Sequence, residues 1–269
     1  MHSERIYLSE DKRAYLDTYV SEFRNAKRDA MLVIPGGGYR MVCADREGEL
    51  VALAYAARGY NAFVLNYRVG EESDVYPTQL IDASKAVLHI KENADKYCID
   101  PNRVFAVGFS AGGHLAGSLA LLTKDELVLN TLGVTADELK IKGVVLSYPV
   151  VTAMTDTHRG SFEYLTGMPF DNIPVELKKK YSLEENVDKN SPPAFIWHTA
   201  EDKTVPVIGS LMLAANYVKC GATVSLHVYP YGCHGISLAT AYANHEARVA
   251  EPLAQRWITD SIDFLNTIK

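Results

Sequence analysis

Three short stretches of this 269-residue chain carry residue types that together could perform acyl transfer. The first, "RVFAVGFSAGGHLAG", holds Ser110 between Gly108 and Gly112 at the end of an apolar run. A serine hydroxyl is a weak nucleophile near neutral pH, so it needs a base to take its proton and a third group to orient that base. The other two stretches supply candidates: "WHTAEDKTVP" carries Asp202 and "YPYGCHGIS" carries His234. Attack on a carbonyl also builds negative charge on oxygen, which preorganised amide donors stabilise. "VIPGGGYR" offers unobstructed N–H groups from Gly36 to Gly38, and Ala111 begins a helix, where N–H groups lack intrahelical partners. Gly37, Gly38 and Ala111 are the oxyanion donors of choice. A phosphate loop is the competing reading of the glycine run, but the chain has no G-x-G-x-x-G and no Gly-Lys-Ser or Gly-Lys-Thr after it.

These groups can meet only if the fold brings them to one edge of a common scaffold. Arg103 to Phe109 reads as a strand, and the alanine- and leucine-rich segment from Ala111 to Leu122 as a helix, which puts Ser110 on the sharp turn between them. Gly108 and Gly112 then carry no Cβ atoms to collide as strand and helix fold together. Six apolar runs, "AMLVIPG", "NAFVLNY", "RVFAVGF", "IKGVVLSYPV", "PAFIWHTA" and "TVSLHVYP", alternate with helical patterns, and two edge strands precede them near Ile6–Leu8 and Ala14–Val20. Leu50, Leu53, Ala54 and Ala57 mark one helix face ending at Gly59; Leu80, Ala83, Val87, Ile90 and Ala94 mark a second; Leu253, Trp257, Ile258, Ile262 and Leu265 mark a terminal one. The fold class is therefore α/β, a doubly wound, mostly parallel sheet with helices on both faces. Asp202 follows a strand ending near Thr199 and His234 follows the last strand, so both emerge at carboxyl ends, where open parallel sheets build their sites. Residues 152–193, after the sixth strand, are too long for a plain connection and predict a small cap-like excursion over those ends. No repeat or linker divides the chain, which reads as a single domain over 1–269.

Seven other histidines compete with His234. His198 and His227 lie inside strand runs and read as packed core residues; His89 lies on a helix; His2, His158 and His245 lie in terminal or irregular segments; His114 lies on the helix behind Ser110 and is directed along it. Cys43, Cys98, Cys220 and Cys233 form no C-x-x-C pair, so reduced, mostly buried thiols are expected, with no metal site and no cofactor. The net charge of −6 leaves no basic footprint for nucleic acid, and Lys178 to Lys180 read as a solvated helix face. The charged N-terminus and the lack of an 18-residue apolar stretch predict a cytoplasmic protein with no membrane partner. A homo-oligomer is compatible with the sequence.

With glycine run, serine turn, acid and histidine in that order, the chain resembles the α/β-hydrolase superfamily from about Met31 onward. "PGGGY", "LNYR", "YPTQLIDASKAVLHI", "IDPNRVFAVGFSAGGHLA" and "EDKTVP" are similar to bacterial serine esterases related to the hormone-sensitive-lipase group, in particular acetyl-xylan esterases. The resemblance implies Ser110 as nucleophile, Asp202 as acid, His234 as base, and Gly37, Gly38 and Ala111 as the oxyanion hole. It also implies a short-acyl, acetyl-type carboxylesterase acting on a small-molecule ester, such as an acetylated xylo-oligosaccharide, through an acyl-enzyme. Pro35 stands where lipase-like relatives carry histidine before the glycines, and the N-terminal segment is short for their helical cap; both favour small acyl groups. Tyrosines near strand ends, Tyr39, Tyr67, Tyr76, Tyr148, Tyr164, Tyr229 and Tyr231, offer stacking faces for sugar rings. The same triad cleaves amides, so an aryl formamidase or small peptidase is the alternative. A non-catalytic binding protein on the same fold is a third reading, and the presence of all three triad residues weighs against it.

Overall fold

A computed structural model of the protein describes residues 1–244 and 250–269. His245 lies outside the described residues. The strands are β1 (Arg5–Tyr7), β2 (Tyr15–Tyr19), β3 (Arg28–Ile34), β4 (Asn61–Asn66), β5 (Ile99–Phe109), β6 (Gly143–Ser147), β7 (Ala194–Thr199) and β8 (Val224–Tyr229). They form one sheet in the order β1-β2-β4-β3-β5-β6-β7-β8. The first two pairings are antiparallel and the remaining five parallel. The central strands read as unbroken apolar runs because helices cover both faces. Alternate residues of β3 accordingly enter different cores: Leu32 and Ile34 pack with Leu80, Ala106 and Leu115, while Met31 and Val33 pack with Val107, Trp197 and Trp257.

Three expectations about the strands and helices need correction. β2 is not an edge, since it pairs with both β1 and β4. The helix Glu49–Ala56 buries Val51, Ala52 and Tyr55 rather than the face through Leu50, Leu53, Ala54 and Ala57. Its sequence, "ELVALAYA", is apolar all round, so periodicity could not choose a face. The terminal helix is Trp257–Asn266, and Leu253 precedes it with 53% exposure. The thiols also differ from expectation: Cys43, Cys98 and Cys220 are half-buried and Cys233 is exposed.

Between β6 and β7 the chain forms a helix Arg159–Thr166, a 3₁₀ turn Phe170–Asn172, a helix Val175–Tyr181 and a second 3₁₀ turn Leu183–Asn186. Phe162, Leu165, Phe170, Tyr181 and Leu183 join the main core, so the excursion is packed down onto the sheet's covering helices. Its lysines are not a plain solvated face: Lys180 Nζ pairs with Asp125 at 2.8 Å and Lys178 Nζ lies 4.1 Å from the Phe170 ring centroid. Among the described residues no helix is long and apolar enough to cross a membrane.

The tightest fit in the fold surrounds the turn from β5 into the helix Ala111–Leu121. A Cβ on Gly112 would lie 2.3 Å from the carbonyl oxygens of both Ile34 and Pro35, and one on Gly108 would lie 2.2 Å from Gly112 O. Those neighbours are backbone and cannot rotate away. Gly112→Ala is therefore expected to misfold, or to unfold at least roughly 5 °C below wild type in a thermal melt, as overpacking of about 2 kcal/mol or more in a chain this size implies. An unchanged midpoint would contradict this packing.

Candidate active site

Ser110 sits on that turn at φ 54° and ψ −120°, a strained conformation for a residue with a side chain. The turn is held by backbone bonds: Ser110 N–H donates to Ser147 O at 3.0 Å, and Ser110 O accepts from His114 N–H and Val150 N–H. The side chain is thereby freed for one partner. Ser110 Oγ lies 2.8 Å from His234 Nε2, and His234 Nδ1 lies 2.6 Å from Asp202 Oδ2. The structure thus brings the three residues into one hydrogen-bonded line, although 124 residues separate the serine from the histidine.

Asp202 occupies the turn after β7, and its other oxygen accepts the N–H groups of Thr204 and Val205, each at 2.9 Å. Burial alone would raise its pKa. Hydrogen bonds from His198 and His234, with the Val205 amide, outweigh that and hold the carboxyl well below the usual carboxylate range. His198 is buried as expected, but it is more than core packing: its Nε2 lies 3.2 Å from Asp202 Oδ2 and 2.9 Å from Val205 O, and its Nδ1 meets Ser210 Oγ at 2.8 Å. His227 is half-exposed on the edge strand β8, stacked 4.7 Å from Phe195. Glu201, the neighbour of Asp202, is exposed, and among the described residues its carboxylate reaches only Gly232 N–H at 3.4 Å.

The glycine run after β3 curls over the serine. Gly37 (φ 128°) and Gly38 (φ 67°) adopt left-handed backbone, and a Cβ at Gly37 would lie 2.1 Å from Met41 O. Among the described residues no acceptor is paired with the N–H of Gly37, Gly38 or Ala111. Tyr39 anchors the far end of the loop: its hydroxyl donates to His114 Nδ1 at 2.8 Å, while His114 Nε2 donates to Tyr181 O at 2.7 Å. Burial pulls the His114 pKa down to about 4, so the imidazole is neutral and can serve as this two-sided link.

Nothing in the sequence singles out Glu47, which lies in the charged stretch "CADREGE". In the fold its carboxylate is buried and accepts Gly36 N–H and Tyr148 O–H, each at 2.7 Å; Tyr148 Oη in turn accepts Ser237 N–H at 2.9 Å. The Tyr148 ring packs against His234 with centroids 5.1 Å apart. One carboxylate therefore ties the loop bearing the glycines to the loop bearing the histidine. Burial raises its pKa, offset in part by the Tyr148 and Gly36 hydrogen bonds.

A cavity of about 420 Å³ opens over Ser110 and His234, walled by Gly38, Met41, His158 and Tyr164. A second of about 680 Å³ adjoins it, sharing Tyr164 and bounded by Tyr39, Glu72 and Glu163; it contains none of the three linked residues. Of the tyrosines expected near the site, Tyr39, Tyr67 and Tyr148 are buried and offer no stacking face, whereas Tyr164 is 45% exposed in the wall common to both cavities. Among the described residues no group of three His, Cys, Asp or Glu side chains is placed to hold a metal ion.

A strained serine on a strand–helix turn, in line with a histidine and an acid at the carboxyl edge of this mostly parallel sheet, is the architecture of the α/β-hydrolase superfamily. Within that superfamily the chain belongs to the BD-FAE family, whose model matches residues 16–217. It is 42% identical over 217 residues to endo-1,4-beta-xylanase B of Butyrivibrio fibrisolvens, covering 80% of this chain and 33% of that one. It is 28% identical over 242 residues to an acetylxylan esterase of Xylanibacter ruminicola, covering 89% of this chain and 47% of that one. The chain thus spans a third to a half of the length of these curated relatives. Among solved structures, the acetyl ester-xyloside bifunctional hydrolase of Caldicellulosiruptor lactoaceticus superposes with a TM-score of 0.79 at 32% identity over 97% of both chains.

Proposed function

We propose that the protein is a serine carboxylesterase that removes acetyl or similarly short acyl groups from carbohydrate, with residues 152–193 forming a small cap-like wall on a single catalytic domain. The observation that carries this reading is the line from Asp202 through His234 to Ser110, with the N–H groups of Gly37, Gly38 and Ala111 beside it. In this mechanism Ser110 Oγ attacks the ester carbonyl as His234 Nε2 takes its proton, and the three amides receive the charge that develops on the carbonyl oxygen. His234 then passes the proton to the departing alcohol. A water activated by the same imidazole cleaves the acyl-serine and releases the acid. Asp202 keeps the Nδ1 proton in place and stabilises the imidazolium. The names of the relatives, an acetylxylan esterase and an acetyl ester-xyloside hydrolase among them, support an acetylated sugar as substrate.

The lining of the smaller cavity supports the short acyl group. Arg40, Arg46 and His158 stand in its wall beside Met41, so an acyl chain long enough to reach them meets polar groups there instead of gaining the ~0.8 kcal/mol per methylene of a wholly apolar wall. Specificity constants for nitrophenyl acetate, butyrate and octanoate are expected to fall in that order, with octanoate at least about 30-fold below acetate, a loss of roughly 2 kcal/mol in transition-state binding. A preference for octanoate would reject the short-acyl reading. Absence of hydrolysis with every ester, beside cleavage of formyl amides, would reject the esterase reading itself.

A further inference from the structure

His158 lies in the wall of the smaller cavity, and none of the steps above uses it. The residue caps the helix Arg159–Thr166: its Nδ1 accepts Ser161 N–H at 3.3 Å and meets Ser161 Oγ at 2.9 Å. An N–H donor aimed at Nδ1 forbids a proton there, so the neutral ring carries its proton on Nε2. Among the described residues nothing accepts from that nitrogen. The ring's outer edge faces open space beside two bare backbones: Cε1 would lie 3.7 Å from a Cβ on Gly38 and 3.4 Å from one on Gly160, and both glycines line the same cavity. Burial, and then the nearby charge that His234 acquires when protonated, pull the His158 pKa down, which favours the neutral ring.

We propose that His158 Nε2–H is a specificity-determining donor that binds an oxygen of the leaving alcohol close to the scissile ester, and so selects esters of alcohols with a neighbouring hydroxyl, the arrangement of a partly acetylated sugar. This rests on the esterase reading above and adds the feature of the alcohol that is recognised. Two observations place the contact on the alcohol side. The departing alcohol must sit against His234 to receive its proton, and His158 lines the same cavity as His234. The wall that continues from His158 runs past Gly160, which leaves room for a ring, to the exposed face of Tyr164 and the larger cavity beyond. A donor, a bare floor and an aromatic face in succession suit a chain of neutral, hydroxylated rings.

The two nitrogens of His158 can be separated by substitution. In His158→Asn the amide oxygen can still accept Ser161 N–H, since asparagine is among the best helix caps, but the Nε2 donor is gone. In His158→Gln the amide N–H₂ can reach the former Nε2 position while the cap is weakened. The measurement is kcat/KM for each variant on an acetylated xylo-oligosaccharide with a free hydroxyl beside the ester, and on nitrophenyl acetate, which has none. The expected result is that His158→Asn loses at least tenfold more activity on the oligosaccharide than on nitrophenyl acetate, and that His158→Gln recovers part of that difference. Equal losses on both substrates with His158→Asn folded would place the residue at the carbonyl or the base and overturn the proposal, as would no loss on either. Wild type inactive on every ester would instead remove the esterase reading, a result that does not resemble the other two.

Discussion

Ser110→Ala is expected to lower kcat by on the order of 10⁶, the scale set by removing the nucleophile from a comparable triad, while leaving the thermal midpoint close to that of wild type. The second half of this expectation follows from how the turn is built. Ser110 contributes to folding through its backbone, with its N–H on Ser147 O and its carbonyl accepting from His114 and Val150, and alanine keeps all three bonds. The strain at φ 54° comes from having a Cβ at all, so alanine does not worsen it. What disappears is the oxygen 2.8 Å from His234. Hydrolysis of nitrophenyl acetate and labelling by a sulfonyl fluoride followed by mass spectrometry check the assignment together. Wild type should gain one sulfonyl group on the peptide containing Ser110, and the variant none. Activity within tenfold of wild type in a folded preparation would remove Ser110 from the role of nucleophile.

The sheet and the three linked residues were legible in the sequence for one reason: each rests on a local pattern. Parallel strands read as apolar runs, and Ser110, Asp202 and His234 each follow such a run closely, past the carboxyl ends of β5, β7 and β8. The residues that hold them in place have no such signature. Glu47 acts by accepting from Gly36 and from Tyr148, and Tyr148 is 101 positions away, so no window of sequence contains the pair. His198 looks like any histidine in a buried strand until the turn at Asp202 folds back to it. His158 caps a helix inside the one segment whose path could not be drawn from periodicity. Helical faces failed where a helix is apolar all round, as in Glu49–Ala56, because a period needs contrast. Local patterns pick out Ser110, Asp202 and His234; the tertiary fold decides what holds them in position.

Asp202→Asn is expected to reduce kcat by on the order of 10⁴ with little change in KM, the scale known from loss of the acid in a serine protease, whereas Glu201→Gln should keep most activity. The hydrogen bonds dictate how the asparagine must sit. Thr204 N–H and Val205 N–H both point at Oδ1, so the amide oxygen takes that place and the NH₂ group takes the place of Oδ2. That atom is where His234 Nδ1 and His198 Nε2 converge, at 2.6 and 3.2 Å. A donor there forces His234 to present an unprotonated Nδ1, which moves its proton to Nε2 and leaves no lone pair to accept from Ser110. It also opposes the His198 Nε2–H donated toward Val205 O, so the asparagine has a cost in stability as well as in rate. Glu201 touches neither histidine and meets Gly232 N–H only at 3.4 Å, so its amide changes little. Ring nitrogen chemical shifts of His234 test the tautomer argument directly: the proton should sit on Nδ1 in wild type, where Asp202 Oδ2 accepts it, and on Nε2 in Asp202→Asn. A proton still on Nδ1 in the variant, or a Glu201→Gln enzyme that is inactive beside a nearly normal Asp202→Asn, would mean that a different group orients the base.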